Sequence, residues 1–323
     1  MQEGYTNMKN IIYMSNKKAF SMLELVFVIV ILGVVSSIGA SVIAKVYESY
    51  IIQRAVHRAS IKTELAINQL SNRLMYRIDT SVQARRSDGT IPIALSEISP
   101  TTPNFAAYRI LEWIGYENAG FSASNVLRWS GFTDLTHVNT VFTSVETTGS
   151  NLVQEQILLG NLFPGSTPGI VFLTNNYRNN AGVEIPYTAV CMYAGAGGCI
   201  FPINPLVNNT LLTFTGGGNR TLGQMIYNEF YQLAASAYAV VPDVLPHTVI
   251  PIGGTNVWDL HLRSNYQPWS GHTYLNGTDS LLLRNVSVFR FTQEANSIRI
   301  KLCVIEALGD TEISICKEKA VIR

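Results

Sequence analysis

The strongest constraint on this chain lies near its N-terminus, where Leu25 to Ala44 runs for twenty residues without a charge. As a helix this run spans about 30 Å, the hydrocarbon thickness of a bilayer. The later apolar runs, such as Ile157–Leu159 and Leu233–Val241, are too short or too interrupted to do the same. Lys9, Lys17 and Lys18 precede the run and only Lys45 follows it closely. That bias predicts a single-pass chain with its N-terminus in the cytoplasm and residues 45–323 outside. The run exceeds the apolar core of a secretory signal, about 7–15 residues. Small residues at Ser37, Gly39 and Ser41 leave a late cleavage site as the alternative.

Glu24 interrupts the entry to this run, directly after Met22 and Leu23. A charged side chain costs roughly 2.5–3.5 kcal/mol at the centre of a bilayer and less at this depth. Such a group usually has a partner, and residues 25–44 offer no cation. Either Glu24 snorkels to the headgroups, or its partner is created by processing or supplied by a neighbouring chain.

The stretch Lys17-Lys18-Ala19-Phe20-Ser21-Met22-Leu23-Glu24-Leu25 resembles the processing signal of type IV prepilins and type II secretion pseudopilins. The resemblance is specific over residues 17–44. It implies that a prepilin peptidase cuts between Ala19 and Phe20 and methylates the new amine of Phe20. It implies that Glu24 then pairs with the terminal amine of an adjacent subunit, which supplies the missing cation. Ala19 stands where the family usually has Gly, and Ser21 where Thr is frequent. The 19-residue leader is long, and a start at Met8 or Met14 would shorten it. The partners so implied are the peptidase, other pilin or pseudopilin subunits, an inner-membrane assembly platform and membrane lipid. No cofactor is implied.

The helical pattern continues past the apolar run. Val42, Val46, Tyr50, Val56, Ala59, Leu70, Leu74 and Ile78 recur mostly at spacings of three and four. No Gly or Pro stands between Ala40 and Thr80. One helix is expected from Ser21 to Ile78, apolar all round at first and amphipathic later. Asp79–Thr90 breaks it, with Arg85-Arg86-Ser87-Asp88-Gly89 read as a turn or loop. Gly33 and Ser37, and Ser36, Ala40 and Ala44, have the spacing that lets helices approach closely in lipid. Arg54, Arg58 and Lys62 form one basic stripe and Arg73 and Arg77 a second pair. These could meet anionic headgroups or DNA. A solvated face, or a match to acidic neighbours, is the simpler reading.

From residue 91 short apolar runs punctuated by Pro, Gly, Asn and Thr suggest strands. Trp113, Tyr116, Phe121, Trp129 and Phe132 form either a carbohydrate or peptide platform or, preferably, a core with tight turns. The phrases LEWIGYENAGF and RWSGF are similar to pseudopilin-like proteins of Campylobacterota. Ile226–Val241, with Tyr227, Tyr231 and Tyr238, is ambiguous between helix and strand. Leu281–Leu283, Val286–Thr292, Ser297–Ile305 and Glu312–Arg323 read as strands, with turns at Glu294-Ala295-Asn296 and Gly309-Asp310. The fold expected is α+β and pilin-like: a leader over 1–19, a transmembrane and stalk helix over 20–80, and a β-rich periplasmic head over 81–323.

Cys191, Cys199, Cys303 and Cys316 are an even set that favours two disulfides outside the cytoplasm. Three pairings are open. The local one joins Cys191 to Cys199 and Cys303 to Cys316. No C-x-x-C occurs, and Asp259-Leu-His261 with His272 is the one metal-like cluster, more simply a polar loop. Asp259 and Asp279 sit in loops suited to calcium, without a ligand series. No G-x-S-x-G, H-E-x-x-H or Walker-type G-K-[ST] is present, and Gly216-Gly-Gly-Asn-Arg lacks the context of a phosphate loop. The chain reads as a non-enzyme, a minor pilin-like structural subunit. Its rival is an anchored periplasmic binding protein or adhesin that assembles into nothing.

Overall fold

A computed structural model of the chain describes residues 21–86, 92–99, 101–103, 105–122, 127–141, 143–173, 176–178, 184–186, 188–195, 198–215, 229–243, 247–248, 256–308 and 311–322. The chain divides into two compact units, residues 1–54 and 55–323. Helix α1 runs from Met22 to Met75. In the first unit its apolar side chains stand exposed all round, from Met22 through Val46. In the second unit Ala59, Thr63, Ala66, Ile67, Leu70, Ser71 and Leu74 are buried along one stripe. The two hydroxyls in that stripe are satisfied locally: Thr63 donates to the Ala59 carbonyl and Ser71 to that of Ile67, each at 2.7 Å.

Beyond α1 come β1 (Gln83–Arg86), β2 (Ile93–Ala94), β3 (Tyr108–Tyr116), the single turn α2 (Ala119–Ser122), β4 (Ser144–Glu146) and α3 (Leu152–Leu162). Then follow β5 (Gly169–Phe172), β6 (Asn176–Arg178), β7 (Glu184–Pro186), α4 (Ala189–Met192), β8 (Phe201–Pro202) and β9 (Leu211–Thr213). The last group is β10 (Tyr231–Pro242), β11 (His247–Thr248), β12 (Asn256–Tyr266), β13 (Thr278–Glu294), β14 (Ser297–Leu308) and β15 (Thr311–Ile322). Among the described residues eleven strands form one antiparallel sheet, whose main path is β15-β14-β13-β12-β10-β3-β1-β2. Strand β5 joins the first half of β10, and carries β8. The stripe of α1 packs on this sheet in a core that includes Leu70, Leu74, Trp113, Val240, Leu260 and Ile300. A second core gathers Leu152 and Leu159 of α3 with Phe172, Phe201, Phe214 and Tyr231. This is the expected α+β architecture, a long apolar N-terminal helix and an antiparallel β-rich head.

Several local expectations are corrected. Helix α1 stops at Met75 rather than Ile78, although no breaker intervenes. The carbonyl of Tyr76 accepts from the Tyr116 amide at 2.9 Å, and the Ile78 amide donates to Ile114 at 2.8 Å. Pairing with β3 thus takes the backbone that would have closed another helical turn. Arg85 and Arg86 lie in β1, not in a turn, because Arg85 Nε donates at 2.8 Å to the buried carboxylate of Glu112. Glu112 also accepts from Gln83 Nε2 at 2.6 Å and Tyr266 Oη at 2.8 Å. Arg77 is not part of a solvated stripe: it is 1% exposed and donates at 2.9 Å to the carbonyls of Leu74 and Asn296. The ambiguous segment is strand from Tyr231 onward. The expected strands at 281 and 286 are one, β13, with Asn285 at φ 56° marking the irregularity between them. Ser87–Gly89, Gly216–Arg220, Tyr227, the Phe121 side chain and the Gly309-Asp310 turn lie outside the described residues.

The hairpin between β13 and β14 turns at Ala295 and Asn296, and Ala295 has φ 50°. Only Gly adopts this region without steric cost. Ala295→Gly is expected to stabilise the head by about 1 kcal/mol, hence to raise its thermal midpoint by about 2–4 °C. Calorimetry on the two proteins checks this.

Candidate functional site

The described part of the candidate processing and assembly site begins at Ser21. Ser21 caps α1: its hydroxyl accepts from the Glu24 amide at 3.3 Å, and its carbonyl accepts from Glu24 at 3.0 Å and Leu25 at 3.2 Å. Ser21-Met22-Leu23-Glu24 therefore has the spacing of a capping box, with a carboxylate in the first helical turn. A carboxylate there faces the positive end of the helix dipole, an effect worth about 0.3–1 kcal/mol. That is too small to offset burial in lipid. Glu24 is exposed and has no ion pair among the described residues. Ala19 and Phe20 lie outside the described residues.

Gly33 and Gly39 lie in the apolar run of α1. A Cβ placed on Gly33 or Gly39 would meet nothing within 4 Å. Helix α1 is the one helix among the described residues long and apolar enough to cross a membrane.

Residues 14–40 match the prokaryotic N-terminal methylation motif. The motif covers the Lys17-Lys18 pair, the Ala19–Phe20 junction, Glu24 and most of the apolar run. No curated protein and no solved structure matches the chain. The chain thus carries a type IV pilin-like signal for prepilin processing that runs into the apolar part of α1.

The remaining candidates fall elsewhere in the head. Cys191 is bonded to Cys199 and Cys303 to Cys316. The second bridge joins residues directly opposite in the β14–β15 ladder. Asp259, His261 and His272 are not brought together. His261 meets Asp279 through Nδ1 at 2.8 Å and Asp243 through Nε2 at 3.4 Å. Asp259 accepts from the Asn285 amide at 3.2 Å and faces Arg284 at 3.8 Å. His272 Nδ1 accepts from the Gln267 amide at 3.4 Å. Among the described residues no group of three or more Asp, Glu, His or Cys side chains converges as a metal site. Trp113 and Trp129 are buried, whereas Phe132 is exposed and meets Phe230. The described aromatics of that set are thus divided between two cores and the surface rather than aligned as a platform. Of the basic residues, Arg54 and Arg58 are exposed and Lys62 pairs with Glu306 at 3.5 Å.

Sequence reasoning missed a pair of buried carboxylates, Glu117 after β3 and Glu155 in the first turn of α3. Gly120 lets them converge: a Cβ there would stand 2.8 Å from an oxygen of each. Glu117 accepts the Gly120 amide at 3.0 Å and Trp129 Nε1 at 2.7 Å. Burial, and next the charge of Glu117, push the Glu155 carboxyl up to about 8, against the opposing pull of Arg128. Glu155 is therefore held in its protonated form at neutral pH. The two lie 38 positions apart in sequence. Their only local signal was acidic residues in otherwise apolar stretches.

Proposed function

We propose that the chain is a minor pilin-like or pseudopilin-like subunit of a type II secretion or type IV pilus-like filament, and not an enzyme. On this reading residues 1–19 are a leader removed by prepilin peptidase, 20–80 the transmembrane and stalk helix, and 81–323 a periplasmic head. Phe20 becomes the methylated N-terminus, and its amine is the counter-ion that Glu24 of an adjacent subunit lacks. Glu24, lying inside the matched motif at the edge of an uncharged run, is the observation that carries this reading. An ion pair formed within the bilayer between subunits removes the cost of burying either charge alone. The two disulfides suit an oxidising compartment.

Intact mass and N-terminal sequence of the protein extracted from membranes test the processing step. With the peptidase present, the chain is expected to begin at N-methyl-Phe20. Without it, the leader is expected to remain. A chain that keeps its leader in the presence of the peptidase, or is cut near Ser41, would remove this reading and leave an anchored or secreted binding domain.

A further inference from the structure

Within the 55–323 unit the antiparallel sheet ends on a long edge strand. Among the described residues β15 closes the path and pairs only with β14, over 12 residues and without a shift of register. The Cα atoms of Cys303 and Cys316 stand 4.0 Å apart, the closeness of an opposed pair that exchanges no backbone hydrogen bonds. The amide and carbonyl of Cys316 therefore point away from β14. By the alternation of an antiparallel ladder, so do those of Ser314, Glu318, Ala320 and Ile322. All five residues are exposed. Edge strands are usually blunted by shortness, a proline or a bulge. The strand at the other end of the path, β2, has 2 residues. Strand β15 is long, and has neither proline nor bulge.

Helix α1 flanks this edge. Lys317 pairs with Glu64 at 3.4 Å, and Lys319 Nζ donates to Asn68 Oδ1 at 2.6 Å. Both lysines thus turn toward α1 instead of standing along the edge to repel another strand. Ile61 and Leu65 lie three places before Glu64 and Asn68, on the same flank of the helix. They are 46% and 65% exposed. A strand laid along β15 would alternate its side chains between this flank and the open face of the sheet. On the α1 side it meets Ile313 and Ile315 of β15 and Ile61 and Leu65 of α1, all apolar. It also meets Lys319, which has no carboxylate partner among the described residues. On the open face Glu318 already stands opposite Lys301 of β14.

We propose that the β15 edge is a docking site for an extended segment of a partner protein, which adds to the sheet as a further strand. The outward amides and carbonyls of β15 supply the attachment, and the alternate side chains of the partner supply the fit. Toward α1 the partner presents apolar residues that cover Ile61 and Leu65, with an acidic residue beside Lys319. The Cys303–Cys316 bond and the contacts of Lys317 and Lys319 hold the edge in place beforehand, so this side needs little ordering on binding. This goes beyond the filament reading and does not depend on Glu24.

Fluorescence anisotropy of a labelled peptide, Asp-Thr-Val-Thr-Val-Thr-Val, with the full chain in phosphatidylcholine nanodiscs tests the proposal. Antiparallel addition sets its aspartate beside Lys319, its valines on the α1 side and its threonine amides on the outward carbonyls of β15. Saturable binding is expected, weaker by about tenfold or more when the threonine amides are N-methylated or the aspartate is replaced by lysine. Ser314→Pro removes one outward amide and spares the bonds to β14. Leu65→Glu places a charge on the exposed apolar flank. Each variant is expected to lose about tenfold in affinity with an unchanged melting curve. Absence of saturation, undiminished binding of the N-methylated or lysine peptide, or unchanged affinity in both variants would overturn the proposal. So would a dimer of the full chain that the peptide disperses and Ser314→Pro abolishes, since the edge would then belong to a second copy.

Discussion

Replacing Glu24 with Ala is expected to leave cleavage at Phe20 intact and to reduce incorporation into filaments on the order of a hundredfold. The size of the effect follows from what is left behind. Removing one member of a buried ion pair strands the other, at a cost of about 3–5 kcal/mol, and each 1.4 kcal/mol is tenfold in an equilibrium. On the filament reading the stranded charge is the methylated amine of Phe20 in the next subunit. Ser21 still caps α1, so the helix itself loses only the small dipole contribution of the carboxylate. Glu24→Gln tests the charge specifically, because the amide keeps the shape and loses the ion pair. The checks are the mass of the processed chain, its amount in the membrane, and its recovery in cross-linked or sheared assemblies. Normal assembly of the Ala variant would sink the subunit reading and favour the anchored binding protein. Loss of cleavage as well as assembly would show that Glu24 serves the peptidase instead.

The N-terminal helix of this protein was legible because its physics is local. An uncharged run of twenty residues permits few fates, and one carboxylate at its edge narrows them further. The C-terminal meander was legible for the same reason. Alternation along Val286-Ser287-Val288-Phe289-Arg290-Phe291 and Ile298-Arg299-Ile300 marks faces of strands whose partners are the next segments in the chain. The errors fall where distant residues decide. Arg77 looks solvent-facing by its helical spacing, yet it is buried by carbonyls that include Asn296, 219 positions away. Arg85 looks like a turn residue until Glu112 is placed opposite it.

The buried carboxylates give the second large effect, because they make the stability of the head depend on pH. Glu155 begins near 4.5 when exposed and is pushed up to about 8 in the folded head. The folded state therefore holds a proton that the unfolded chain releases, and stability falls as pH rises between these values. The contribution of the pair is fully present below about 4.5 and lost as pH climbs through about 8. At neutrality the proton-linked cost is roughly 3 kcal/mol, from about 1.4 kcal/mol per pK unit. The α3 dipole favours the ionised form by only about 0.3–1 kcal/mol, so burial beside Glu117 wins. Glu155→Gln keeps a donor toward Glu117 without the titration. The variant is expected to be more stable than the natural chain by roughly 3 kcal/mol at pH 7, by more at pH 8, and nearly equal to it at pH 5. Urea unfolding of the two proteins across that range decides the matter. Parallel pH profiles for both would show that Glu155 holds no extra proton in the folded head.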